Sequence, residues 1–262
     1  MLLRSISKHV KDQNWFAVAL DFLIVVLGIL IAFQITNWNE ARLTQSDATA
    51  SRDRLVSDLR SDRDAFAIRR QWYNEVFEAA LRVDDALRAD LPESTDEQWR
   101  FVRDASIAGG EWPFAPSAQI YKELQNSGGL DLIAGGPMQR RLRDYYEDAA
   151  REIEISLTFN SAYRDLTAKL IDGRVGMSIA TCLSAESLEP SLPHTTPEKF
   201  YTDCSLPEDV DLVLLSAASL HKSTELKPLL NARLMNLTGL RSLLEYVDRK
   251  AASLVSDLEA TQ

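Results

Sequence analysis

Few residues in this chain combine the type and the spacing that chemistry needs. The three histidines, His9, His194 and His221, are far apart, and neither of the last two comes with a nucleophile-elbow motif. A Ser–His–Asp site built on one of them would rest on residue type alone. Gly109-Gly110 and Gly128-Gly129 lack the Lys and Ser/Thr that complete a phosphate loop. Glu-x-x-His pairs, which hold two irons between helices, are absent. The only cysteines, Cys182 and Cys204, bracket a proline-bearing loop. In an oxidising compartment they would pair as a disulfide; unpaired, each would be a small buried apolar residue. With His194 alone nearby they make a poor zinc set. The expectation is a protein without catalytic residues, metal or cofactor.

Two local clusters remain open to more than one reading. Glu111-Trp112-Pro113-Phe114 is an aromatic, proline-fixed turn that either plugs one end of a helical domain or lines a small pocket. Arg140, Arg141 and Arg143 precede Tyr145-Tyr146. They form an anion site or a solvated helix face, with one tyrosine in the core and the other partly exposed.

The elements that would carry these residues start with an apolar stretch, Phe16 to Ile35, between Trp15 and Trp38. Twenty residues at about 1.5 Å each give roughly 30 Å, the thickness of a bilayer's hydrocarbon core. The two tryptophans then serve as interface anchors. The run is longer than a signal-peptide core, and the Ala48-x-Ala50 pattern lies well past its end, so an uncleaved signal anchor is expected. The competing reading is a buried helix of a soluble protein. Arg4, Lys8 and Lys11 precede the run, whereas Glu40 and Asp47 follow it, which places the N-terminus in the cytoplasm and the rest outside, in the periplasm of a bacterial inner membrane.

Asp21 interrupts the span. A carboxylate there is costly, so it must be protonated, drawn to the interface or paired. At about 100° per residue, Asn14, Asp21, Gly28 and Ala32 share one line of the helix, and Gly28-x-x-x-Ala32 permits close approach of a second backbone. This polar and small stripe is expected to be a transmembrane contact face, toward another membrane protein or a second copy. The alternative is an Asp21 that reaches the interface and an incidental Gly28.

Residues 41–262 hold 26 basic and 36 acidic side chains, so the whole net charge of −10 lies there. That excludes nucleic acid, which needs a basic footprint, and argues against docking on anionic lipid. The fold class expected is all-α: a transmembrane helix continuing into a long helix, then an antiparallel helical bundle. Leu59, Phe66, Tyr73, Ala80 and Leu87 recur every seven residues, with Val76 and Val83 beside them, as a buried seam. The mixed-charge start of that helix, SRDRLVSDLRSDRDAF, reads as a solvated stalk. Thr95 with Gln98 suggests a capping box, and Ser117 a cap for a helix ending at Gly128-Gly129. Pro137 opens a helix expected to run to about Asp172, and two more follow, Glu208 to His221 and Glu225 to Ala260. The domains expected are a tail at 1–14, a transmembrane helix at 15–38, a stalk at 39–65 and an external domain at 66–262.

The residues DFLIVVLGILIAFQITNWNEAR resemble the N-terminal signature of a large uncharacterised bacterial family of single-pass membrane proteins. Ile120 to Tyr146 is similar to a second feature of that family, a Ser-Gly-x-Leu-x-Leu-Ile segment ahead of an Arg-Leu and Tyr-Tyr helix. The resemblance implies membrane location and a helical external domain. It implies no activity and no site residues. Together these readings point to an accessory or scaffold module acting through protein–protein contacts. The competing reading is an extracytoplasmic ligand sensor that signals through a partner membrane protein.

Overall fold

The computed structural model of the chain describes residues 15–112, 114, 116–149, 151–153, 161–182, 200–201 and 204–260. Asn14 and His9 in the tail, Pro113, and the loop bearing Pro190, Pro193, His194 and Pro197 lie outside the described residues. The described residues form helices and no strand. The helices are α1 (Trp15–Ala86), α2 (Thr95–Ala108), α3 (Gln119–Ser127), α4 (Leu130–Ile133) and α5 (Gly136–Arg143). A π-helical turn (Asp144–Ala149) follows, then α6 (Ala162–Leu170), α7 (Gly173–Ala180), α8 (Val210–Lys222) and α9 (Leu226–Ala260).

The absence of glycine and proline between Ile29 and Leu91 lets α1 reach 72 residues. The chain divides into two compact units at Ser51/Arg52. In the first, the large apolar side chains from Leu20 to Ile35 stand exposed, except Val26, which is half-buried. None of the most apolar window is buried, and α1 is long and apolar enough to cross a membrane.

The second unit is organised around the heptad seam of α1. Leu59, Phe66, Val76, Ala80 and Val83 are fully buried, and Tyr73 nearly so. The expected solvated stalk ends sooner than residue 65. Leu55, Val56 and Asp62 are already buried, because apolar residues one turn apart share the face that the seam continues. α9 returns along α1 in the opposite direction. Arg60 pairs with Glu259 (2.5 Å), Arg63 and Arg70 both pair with Asp248 (3.1 and 3.2 Å), and Lys227 pairs with Asp84, so rising numbers on one helix meet falling numbers on the other. Such partly exposed pairs set register more than they stabilise. α9 buries a stripe from Leu226 through Leu244 to Leu258 and also contacts α5, the π-turn and α6.

Helix ends follow local chemistry with some exceptions. Gly109 closes α2, and Gly128, at φ 74°, closes α3 in the left-handed conformation that glycine adopts freely. The Thr95/Gln98 capping box does not form. Ser94 is the N-cap of α2, and Gln98 instead donates from Nε2 to the Pro92 carbonyl (2.6 Å). Ser117 does not cap α3, whose N-cap is Ala118; its hydroxyl turns to Asp58 Oδ2 (3.5 Å) and its backbone N–H donates to Asp62. The expected single helix from Pro137 to Asp172 is not uninterrupted among the described residues: α5 runs into the π-turn, 151–153 are again helical, Ser161 is not, and α6 starts at Ala162.

Candidate functional site

The residues expected to form a transmembrane contact face lie in the first unit. Asp21, Gly28 and Ala32 all lie on α1 and are exposed, and a Cβ built on Gly28 would meet nothing within 4 Å. Trp15 is the first residue of α1. Trp38 is 67 % exposed, with the Arg42 guanidinium 5.8 Å from its ring centroid. The Thr36 hydroxyl donates to the Ala32 carbonyl (3.0 Å), so this polar group is satisfied inside the helix.

In the second unit a buried carboxylate and three tyrosines come together. Asp62 on α1 is 3 % exposed. Its Oδ1 accepts the Ser117 N–H (3.1 Å), and its Oδ2 accepts the Tyr145 hydroxyl (2.8 Å). Burial pushes the Asp62 carboxyl up to about 6; the two hydrogen bonds pull the other way, and neighbouring Asp58 adds to the rise. The Tyr146 ring stacks on Tyr121 at 4.7 Å and meets Tyr145 edge-on at 4.8 Å. Tyr121 donates to Glu147 Oε1 (2.8 Å), which Gln125 also reaches (3.0 Å). Burial first, and then Glu147, push the Tyr121 phenol up to about 12. Neither adjacent tyrosine is partly exposed, contrary to expectation. The extra residue of the π-turn breaks the α-helical stagger, so that Tyr145 faces Asp62 while Tyr146 covers Tyr121. The arrangement can hold or release a proton at Asp62.

A third feature is an open cleft of about 410 Å³ where the end of α2 meets α6 and α7. Trp72 and Tyr201 stand along it, and Gly173 and Gly176 border it from α7. Gly110 lets the Trp72 indole come close: a Cβ there would sit 3.0 Å from the ring. Asp172 caps α7 by accepting the Arg174 N–H (2.8 Å). Glu111 accepts from Arg164 Nη1 (2.9 Å) and from the Ser161 N–H (3.1 Å). Glu111 borders the cleft, while Phe114 packs edge-on against Phe66 (5.3 Å) and Trp112 against Trp72 (5.8 Å). Arg69 lies between the two rings, 4.7 Å from Trp112 and 4.2 Å from Phe114, and burial lowers its guanidinium to about 10, so it stays cationic at neutral pH.

Cys182 and Cys204 are joined as a disulfide, with their Cα atoms 5.0 Å apart. His221 places Nε2 3.0 Å from the Ala89 carbonyl, with no hydroxyl partner of a Ser–His–Asp arrangement among its described contacts. Arg141 engages Asp257 (2.5 Å) and Ser253 (2.7 Å). Among the described residues no three carboxylate, thiol or imidazole side chains converge as a metal set. Asp62, Tyr121 and the α7 glycines were not singled out from sequence. The signal for α7 was Asp172-Gly173-Arg174-Val175-Gly176, a capping residue followed by a small-x-x-small repeat. Comparison with protein-family models, curated proteins and solved structures found no match to this chain.

Proposed function

We propose that this chain is a non-enzymatic, membrane-anchored helical module, an accessory or scaffold subunit or a homo-oligomer, that acts through protein–protein contacts. The observation that carries this reading is the apolar run of α1, none of whose most apolar window is buried. So much apolar surface requires lipid or another helix. On that run Asp21, Gly28 and Ala32 share one face, where a second helix would shield the acid and approach the small residues closely.

The N-terminal basic residues favour a cytoplasmic tail with residues 39–262 in the periplasm, where they would fold as an antiparallel helical bundle. The Cys182–Cys204 bond supports an oxidising compartment. The resemblance of the N-terminal segment to a family of single-pass bacterial proteins supports the same location. Purification of the tagged full chain from its host in mild detergent, beside an Asp21→Leu/Gly28→Leu variant, tests the contact. A stoichiometric partner or self-assembly that is lost in the variant is the expected result. Monomers in both preparations would contradict the proposal.

A second reading, an extracytoplasmic ligand sensor that signals through a partner's transmembrane helix, is favoured by the open cleft beside α7.

A further inference from the structure

Gly176 lies inside α7 but has no structural reason to be glycine. Its φ is not in the left-handed range, and a Cβ built on it meets nothing within 4 Å. A helix-interior glycine costs about 1 kcal/mol relative to alanine, so the chain forgoes stability there without gaining close packing. Gly173, also in α7, has the same open surroundings. Both glycines border the cleft of about 410 Å³. The space they leave open belongs to the cleft, and its volume suits a small ligand.

The lining also says what charge that ligand should carry. Arg164 and Glu111 bond each other, and Glu111 accepts the Ser161 N–H as well. Asp172 is engaged by the Arg174 N–H at the start of α7. Arg164 is thus matched in charge by Glu111, and Asp172 is held by the start of α7, so the cleft presents no cation that lacks an acid beside it. Apart from these groups the lining is largely apolar: two aromatic residues, Trp72 and Tyr201, and two aliphatic ones, Ile171 and Ile179. Tyr201 is held neutral, since burial pushes its phenol up to about 12.

We propose that the cleft between α2, α6 and α7 is a binding site for a small, uncharged, ring-bearing molecule of the indole or phenol class, with Gly176 kept small to admit the ring. This goes beyond the contact function proposed above and does not depend on it, because the cleft lies wholly within residues 52–262.

The test is ¹⁹F NMR titration of 5-fluoroindole and 4-fluorophenol into the full chain in lipid nanodiscs, with empty discs as background. The expected result is saturable binding of at least one probe at one site per chain. Gly176→Leu should weaken it tenfold or more with the helical circular dichroism retained, and 4-fluorobenzoate should bind at least tenfold more weakly. Gly176→Ala, which should fold at least as well as the parent, should weaken binding by a few-fold and serves if the leucine variant fails to fold. No saturable binding of either neutral probe, equal binding by the parent and a folded Gly176 variant, or tighter binding of the benzoate would each overturn the proposal.

Discussion

The Tyr145 hydroxyl donates to Asp62 Oδ2 at 2.8 Å, fastening the π-turn to a buried acid 83 positions earlier on α1. The same carboxylate accepts the Ser117 N–H, so one side chain ties together α1, the segment before α3 and the π-turn. Its burial is tolerated because both oxygens are hydrogen-bonded, yet no lysine or arginine forms an ion pair with it among the described residues.

A pH dependence follows, and its sign is fixed by the direction of the shift. Asp62 is raised from 3.8 to about 6, so the folded chain holds this proton more tightly than the unfolded chain. The contribution is fully present below the ordinary carboxylate value and is lost as pH rises to about 6. It is on the order of 2–3 kcal/mol. The stability of the parent relative to Asp62→Asn, which cannot ionise, should fall by that order between pH 4 and pH 7. Urea unfolding of both chains across this range checks it; a constant difference would show that Asp62 titrates normally.

Arg233 is 6 % exposed and donates from Nε to the Ala108 carbonyl (3.0 Å) and from Nη2 to the Gly110 carbonyl (2.5 Å). It thereby satisfies carbonyls at the end of α2 that have no helical partner. Arg233→Met should preserve volume but leave both acceptors unpaired, lowering stability by about 2–4 kcal/mol. Denaturant midpoints of the two chains measure this, and a change below about 1 kcal/mol would contradict it.

Much of this architecture can be read from the residues, and the failures have physical causes. The seam Leu59–Phe66–Tyr73–Ala80 is legible because every member is apolar and the period matches a helix. The closures at Gly109 and Gly128 are legible because glycine favours helix ends. The burial of Arg52 and Asp62 within SRDRLVSDLRSDRDAF was hidden. Both are accommodated by distant partners, Arg52 Nη2 by the Ile133 carbonyl (3.4 Å) and Asp62 by Tyr145, and local hydropathy does not register such pairing. The break at Asp144–Ala149 was equally hidden. No proline or glycine marks it, and the tyrosine contacts that accompany it come from α1 and α3. The cleft depends on residues scattered from Trp72 to Tyr201, which no local pattern unites.

Two glycines should respond to alanine in opposite directions. Gly128 sits at φ 74°, where a Cβ is strained, so Gly128→Ala should cost about 1–2 kcal/mol. Gly176→Ala adds helix propensity in open space and should stabilise by up to about 1 kcal/mol. Unfolding midpoints that shift the same way for both would overturn this account of α3 and α7.

The Cys182–Cys204 bond closes a loop with a sequence separation of 22. In the chain-entropy model a loop of that size is worth about 3 kcal/mol. The Cys182→Ser/Cys204→Ser double variant should lose that order of stability, read by denaturant unfolding without reductant. Equal stability of parent and variant would show that the loop contributes little to the unfolded chain's freedom.

The central claim is that one face of the exposed apolar run of α1 meets another transmembrane helix. Photocrosslinking in the native membrane, with benzoylphenylalanine placed in turn at Val25, Ala32, Leu23 and Leu30, tests it most directly. Val25 and Ala32 lie on the Asp21 side of the helix, and Leu23 and Leu30 lie on the opposite side. The account predicts a discrete protein adduct, to a second copy or to a partner, from positions 25 and 32 and none from 23 and 30. Adducts from all four positions alike, or lipid adducts alone, would contradict it.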